Sequence, residues 1–496
     1  MTHLEVGWGG WRAVLHVLAC GGLLAACEIA SEARPLAPAL PPPAPPPAAV
    51  VASPPRQVAA LAPPGVSRRV VPEPGERTLA NQALARKLGA PGARLDDPCV
   101  VSSGAGCART GLTPFFESLD ALSSGTASAP TVIEAFGNSL IAGDRIVDIL
   151  REDLSEGFGA AGRGVLLVDR MAPYGGRGRT GYSKGGWQPR TLGELRTPPH
   201  PFGITGVYHV ATAAQARSRF KLEGEPHGAL WWLDVPGAGA LTVRSGDVVL
   251  ARTEPSGSGQ SKSTRFEVPA GTTAVDVVAE GKGAVVQGVV LQHARPGIVL
   301  DMLGVPSADA SLYARLEDGA LRTQLHERDP RLLVFFLGGN ESKRLEWKRT
   351  DLDTLRADLG ALLRRARVAA PSSACLVVGP MDAVRDSKDR GKAFTQRPFL
   401  EAVVSAEREV TLAEGCAFFN LYEAMGGKGS LERFHRSGYM HDDLVHPRGR
   451  GLDVLGHLVT EALLRAWVET PPSAGSVASR DSVKAPPPVT AAETPP

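Results

Sequence analysis

Apolar residues fall along this chain in two rhythms. Up to about His200, and again beyond Gly297, short apolar runs alternate with stretches whose apolar residues recur every three or four positions. TVIEAF (Thr131 to Phe136) is followed by a segment with Ile141, Ile146, Ile149, Leu150 and Leu154 on one side, and then by GVLLVD. Later, RLLVFFLGG precedes a helical pattern carrying Leu352, Leu355, Leu359, Leu362 and Leu363. CLVVG, a further helix, CAFFNLY and a last helix with Leu455, Leu458, Leu463 and Trp467 complete the series. Continuous apolar runs separated by period-3.6 segments predict a parallel sheet covered by helices on both faces. Between about Gly203 and Ala294 the rhythm changes. GALWWLDV, ALTVRS, DVVLART, STRFEV, TAVDVVAE and AVVQGVVLQ are short β-rich runs parted by Gly, Pro and Ser turns, which predicts a β-sandwich. The expected fold is one α/β domain interrupted by an inserted β-domain.

The two ends read differently. Arg12 precedes the apolar run Ala13 to Ala26, shorter than the roughly 20 residues a membrane-crossing helix needs, so it is expected to be a signal peptide. It closes on Leu24-Ala25-Ala26-Cys27, which resembles the lipobox of bacterial lipoproteins and implies lipidation of Cys27 after cleavage. From Ala33 to about Gly75 Pro and Ala dominate; such a stretch extends as a polyproline spacer rather than folding. The expected division is a signal peptide over 1–27, a linker over 28–77, α/β parts over 78–202 and 297–469, the β insertion over 203–296, and a Pro-rich tail over 470–496. Lys plus Arg (54) nearly cancel Asp plus Glu (52), so no global field draws the chain to nucleic acid. In an exported protein Cys99 and Cys107, flanking a short loop, are expected to pair. Cys375 and Cys416 each open an apolar run and would be neighbours in a parallel sheet. Neither CxxC nor a His cluster at ligand spacing occurs, so metal binding is disfavoured.

In a parallel sheet, reactive groups collect at the carboxyl ends of strands. TVIEAF-GNS puts Ser139 there, and RLLVFFLGGN does the same for Asn340. A serine hydroxyl becomes nucleophilic only beside a base that is itself oriented by an acid. HDDLVHPRGRG supplies both, because Asp443 and His446 are three residues apart. Asp442 offers a four-residue alternative. Without such partners, a serine at a strand-to-helix turn is more often a helix cap.

The blocks GNS, GGN and DLVH resemble those of the SGNH (GDSL-type) hydrolases. With CARTGLTPFF, GFGAAGRG, LGVPSADAS, EGCAFF and AMGGKGS around a β-rich insertion, the chain is more narrowly similar to envelope O-acetylesterases of the peptidoglycan type. The resemblance implies the three-layer SGNH fold, Ser139 as nucleophile, His446 as base and Asp443 as its acid. It also implies an oxyanion hole formed by the Ser139 N–H, the Asn340 amide and a backbone N–H of the LGVPSADAS turn. Two positions depart from the family: Asn138 replaces the aspartate of GDS, and Ser307 falls where the second block has a glycine. A serine there is strained if the donor requires positive φ, and Gly304 lies in the same turn. Glu341, beside Asn340, is expected to hydrogen-bond behind the site rather than donate protons.

PYGGRGRTGYSKGGW (Pro173 to Trp187) is expected to be a loop at the site's mouth, with Tyr182 or Trp187 contacting glycan. Trp231 and Trp232, consecutive in a strand, should face opposite sides, one into the sandwich and the other toward a sugar or the hydrolytic domain. The resemblance implies an envelope esterase that releases short acyl groups from an acetylated polysaccharide; the lipobox adds a lipid anchor on Cys27, and a monomer is expected. Serine-based acyl transfer of this kind needs no metal or organic cofactor. The alternatives are a lipase or thioesterase using the same residues, and a degenerate wall-binding lipoprotein that has kept only the fold.

Overall fold

The computed structural model describes residues 69–472 apart from 105, 172–179, 195–196 and 387–393. Cys27, the apolar N-terminal run and most of both Pro-rich ends lie outside the described residues.

The central sheet has six strands in the order Leu95–Asp96, Ala417–Phe419, Ala374–Val378, Leu332–Phe336, Pro130–Gly137, Gly297–Gly304. All neighbours are parallel except the first pair. Helices Leu352–Ala369 and Arg450–Glu469 carry the expected apolar faces into the core. The segment after Ser139 is two helices rather than one, Ser139–Ala142 and Arg145–Phe158, broken at Gly143 and Asp144, where Asp144 takes φ 67°.

GVLLVD departs from the expected βαβ alternation. The chain begins to pair in parallel with the edge strand Gly297–Gly304, at Ala160 against Ile298, and then turns away. Gly162 and Gly164 take φ 122° and 74°, and a Cβ on Gly164 would collide with the Asp301 carboxylate. These two glycines divert Gly162–Leu166 into antiparallel pairing with Val285–Gln292. The place beside Pro130–Gly137 is taken instead by Gly297–Gly304, which arrives after the insertion.

The insertion consists of two antiparallel sheets. One has Ser261–Glu267, His227–Leu233, Val285–Gln292, Val207–Ala211 and Trp187–Thr191, with Gly162–Leu166 also on Val285–Gln292. The other has Val248–Arg252, Leu241–Ser245, Ala274–Ala279, Arg217–Lys221 and Tyr182–Ser183. Antiparallel strands thus occur on the N-terminal side of residue 203, and Arg69 is already docked on the folded body, donating to both oxygens of Asp120 and to the carbonyl of Trp467. Trp231 and Trp232 do face opposite ways. Trp232 lies in the sandwich core, and Trp231 is fully buried in the core of the parallel-sheet domain, its indole donating to Glu327 at 2.8 Å. Neither ring is available to a sugar.

Beneath the serine strand, a buried ionic cluster joins the two parts. Arg328 donates to both oxygens of Asp301, at 2.7 and 3.2 Å, and to the side chain of Gln292 on the antiparallel sheet. Glu134, on the serine strand, lies 3.7 Å from the same guanidinium. Burial, and then the neighbouring Asp301, push its carboxyl well above the ordinary range. Disulfides link Cys99 with Cys107 across a two-stranded hairpin, and Cys375, on strand Ala374–Val378, with Cys416, just before the neighbouring strand Ala417–Phe419, with Cα separations of 5.6 and 4.9 Å. Such bonds persist in oxidising compartments. Among the described residues no helix is long and apolar enough to cross a membrane.

Candidate active site

Strand Pro130–Gly137 is buried from Thr131 onward and ends in a turn that only glycine permits. A Cβ on Gly137 would fall 2.4 Å from Ile141. The hydroxyl of the fully buried Tyr313 holds this end in place. It accepts from the Gly137 N–H at 2.9 Å and lies 2.7 Å from the carbonyls of Gly137 and Leu303, so it ties the serine strand to the edge strand beside it. No local pattern marks Tyr313 for this role, since the contact spans the fold.

Asn138 caps the short helix that follows. Its side-chain oxygen accepts from the Leu140 N–H at 3.0 Å, and the residue is buried. An aspartate would offer the same acceptor, which explains why the GNS sequence keeps the turn. With Asn138 as cap, the hydroxyl of Ser139 is released from that duty. It lies 2.8 Å from Nε2 of His446.

His446 is held by the loop before the last helix. Its Nδ1 is 2.8 Å from Oδ2 of Asp443, while Oδ1 of Asp443 accepts from the N–H groups of Val445 and His446 at 2.9 and 3.0 Å. Burial alone would raise the Asp443 carboxyl, but the hydrogen bonds from the His446 ring and from these two backbone groups outweigh it and hold the carboxyl below its usual range. Leu444, between the two, takes φ 53° and drives its side chain into the core. The His441 N–H donates to the His446 carbonyl at 2.9 Å, closing the loop. Asp442 is not an alternative: it points to solvent, 3.6 Å from His435.

Asn340 stands in the first turn of helix Gly339–Glu346, directly after strand Leu332–Phe336, and its amide donates to the carbonyl of Ala308 at 2.7 Å. This contact leaves one amide hydrogen for another acceptor. Ser307, next to Ala308, is exposed and takes φ 64°, in the left-handed region. Among the described residues neither the Ser307 nor the Ser139 N–H has a hydrogen-bond partner. Gly304 packs its Cα against the backbone of Ala142 and leaves no room for a Cβ, so it is a packing glycine at the strand end.

Behind these groups lies Glu341. Its carboxylate accepts from Gly338 N–H at 2.9 Å and from Ala310 N–H at 3.1 Å. Burial, and then Asp309, push it up to about 7. Glu407, on the buried face of helix Leu400–Ala413, lies behind it and is pushed well above its usual range by burial and by Glu341. Arg397 braces the same turn, donating to the Gly339 carbonyl and the Ser342 hydroxyl, each at 3.1 Å.

One expected glycan contact is ruled out by burial, and the other lies on a strand rather than in a loop. Trp187 is buried in the sandwich core, with 7% of its surface exposed, because it begins a strand whose apolar side faces inward. It has no face to offer a glycan. Tyr182 is 68% exposed, but on a strand at the edge of the five-stranded antiparallel sheet, paired opposite Arg219. Residues 173–179 of that stretch lie outside the described residues.

Chemically, the arrangement offers a hydroxyl, a base aligned on it, a carboxylate fixing that base, and the N–H groups of Ser139 and Ser307, which have no partner among the described residues. Residues 272–454 match the model of the GDSL-like lipase/acylhydrolase family. The match includes Asn340, Asp443 and His446 but stops short of Ser139, which precedes the insertion. Among solved structures, a peptidoglycan O-acetylesterase is similar over 72% of this chain and 97% of its own, at 19% identity and a TM-score of 0.62. A Bacillus subtilis protein is similar over 56% of this chain and 88% of its own, at 10% identity and a TM-score of 0.29. No curated protein sequence matches the chain.

Proposed function

Starting from an ester hydrolase of the SGNH family with a GDSL-like acylhydrolase domain, we propose that this protein removes O-acetyl or similar short acyl groups from a cell-envelope polysaccharide, peptidoglycan being the first candidate. The observation that carries the reading is the aligned series of Ser139 Oγ, His446 Nε2, His446 Nδ1 and Asp443 Oδ2, with 2.8 Å at each hydrogen bond. Ser139 attacks the ester carbonyl as its proton passes to Nε2 of His446. The resulting oxyanion is met by the Asn340 amide and the N–H groups of Ser139 and Ser307. Collapse expels the sugar alkoxide, which takes the proton from His446 and leaves an acyl-serine. Water, deprotonated by His446, then attacks this acyl group, and the serine leaves with the proton.

The polymer reading is supported by the openness of the site. The His446 and Asp443 side chains are 40% and 44% exposed, so a bulky alcohol portion can reach the serine. The O-acetylesterase fold likeness favours the same class of substrate, and a lipid on Cys27 with the Pro/Ala spacer would tether the enzyme to the envelope. The test is acetate release from O-acetylated peptidoglycan by the protein and its Ser139→Ala variant. Release only by the parent protein supports the reading; equal release by both rejects the serine mechanism. Activity on p-nitrophenyl esters that climbs with acyl length would instead favour a lipase or thioesterase.

A further inference from the structure

We propose that Glu341 is the positioning residue of the oxyanion site, setting the distance between the donor carried by Ser307 and the donor carried by Asn340. This inference rests on the serine-esterase reading above. The two donors sit on different pieces of chain, the loop after edge strand Gly297–Gly304 and the turn after strand Leu332–Phe336. A rigid oxyanion site needs those pieces locked together, because donors work only when already in place as charge develops.

The lock has two points, supplied by adjacent residues. Asn340 donates to the carbonyl of Ala308, and Glu341 accepts the N–H of Ala310. The second oxygen of Glu341 accepts the N–H of Gly338, on its own turn. One buried carboxylate therefore bridges the backbones of both donor segments. Ser307 needs such a hold. It is an exposed non-glycine residue at φ 64°, a conformation that persists only when its surroundings fix it. The grip reaches further, since Ala310 opens the short helix Ala310–Tyr313, whose tyrosine hydroxyl fastens Gly137 at the serine turn. Glu341 touches neither Ser139 nor the imidazole in any hydrogen bond among the described residues, so its action passes through the loops it joins.

The variants to compare are Glu341→Ala, which deletes both acceptors, and Glu341→Gln, which keeps one acceptor oxygen and turns an amide donor toward the other N–H. Each is assayed on p-nitrophenyl acetate after end-point titration of competent sites with a fluorophosphonate, so rates are expressed per reactive serine. The affinity of a trifluoromethyl ketone, which forms a tetrahedral adduct, is measured alongside. Per competent site, Glu341→Ala should lower kcat by about 10²- to 10³-fold, comparable to loss of one oxyanion donor. KM should stay within about threefold, the mark of an interaction made in the transition state. The ketone should weaken in parallel with kcat/KM. Glu341→Gln should fall between parent and Ala on every measure.

Activity lost only in proportion to the titratable fraction, with normal kcat and ketone affinity in the remainder, would make Glu341 merely structural and overturn the proposal. A raised KM at unchanged kcat would overturn it as well. If Glu341→Ala does not fold, Glu341→Gln decides by the same criteria. Failure of the underlying reading is separately visible, because Ser139→Ala would then hydrolyse as fast as the parent.

Discussion

Replacing Asp443 by Asn tests the proposed mechanism at its most geometrically defined point. Oδ1 of Asp443 accepts two backbone N–H groups and Oδ2 faces the imidazole. Asparagine can keep its carbonyl oxygen on the backbone pair, so the turn survives, and its amide then points at Nδ1. A donor there forces Nδ1 to be the acceptor and leaves the ring proton on Nε2, facing Ser139, where the base must have a lone pair. Reversing that tautomer leaves a polar group unpaired, at a cost of about 1–3 kcal/mol. The lost attraction between carboxylate and imidazolium, roughly 4 Å apart, adds about 1–4 kcal/mol, the lower part of the range being favoured because both side chains are some 40% exposed. The sum centres near about 4 kcal/mol, which corresponds to about a thousandfold in kcat/KM. The assay is hydrolysis of p-nitrophenyl acetate, with thermal unfolding as the control for the turn. Asp442→Asn, altering a solvent-exposed neighbour, should stay within about twofold of the parent. Asp443→Asn retaining more than about a tenth of the activity, or Asp442→Asn losing as much, would refute the assignment.

Further outcomes follow from the same structure. Ser307→Gly should relieve its left-handed backbone while adding chain entropy to the unfolded state, for a net gain of up to about 1 kcal/mol in denaturant unfolding; activity should persist, since the N–H remains, and loss of activity would implicate the hydroxyl. Glu407 keeps its proton in the folded state above pH 4.5, where the unfolded chain has lost it. It therefore makes stability fall as pH rises, by up to about 1.4 kcal/mol per pH unit. Glu407→Gln should remove that component, matching the parent near pH 4.5 and exceeding it at pH 8 in guanidinium melts; an unchanged slope would contradict the burial argument. Trp231→Ala should cost about 3–5 kcal/mol as a cavity in the core between the two parts. Unaltered stability with weakened glycan binding would instead mean that this indole meets a sugar.

Much of the fold is legible in the amino-acid sequence. Periodicity alone announced a parallel sheet, a β-rich interruption and the two long helices, because each signal is local: an apolar run, a 3.6-residue period, a cluster of turn formers. The three-residue spacing of Asp443 and His446 was similarly readable, since one turn of chain suffices to bring them together. The pairing Cys99–Cys107 lay within a single hairpin. GVLLVD misled because an apolar run says nothing of its partner; two glycines and the Asp301 carboxylate chose it. Trp187 misled for a similar reason, since the inward side of its strand is fixed by neighbouring strands. The family match likewise begins only at residue 272, well after Ser139, because the insertion separates the serine from its partners along the chain.

The amino-acid order by itself determined which segments become strands and helices, and which side chains have the chemistry for acyl transfer, since backbone propensity and functional groups belong to residues and their immediate neighbours. Only the tertiary structure decided that Asn138 rather than Ser139 caps the helix, that Asp443 rather than Asp442 meets His446, and that Glu341 bridges two loops far apart in the chain. Those choices depend on distances of a few ångströms between distant segments, and such distances exist only once the core has packed.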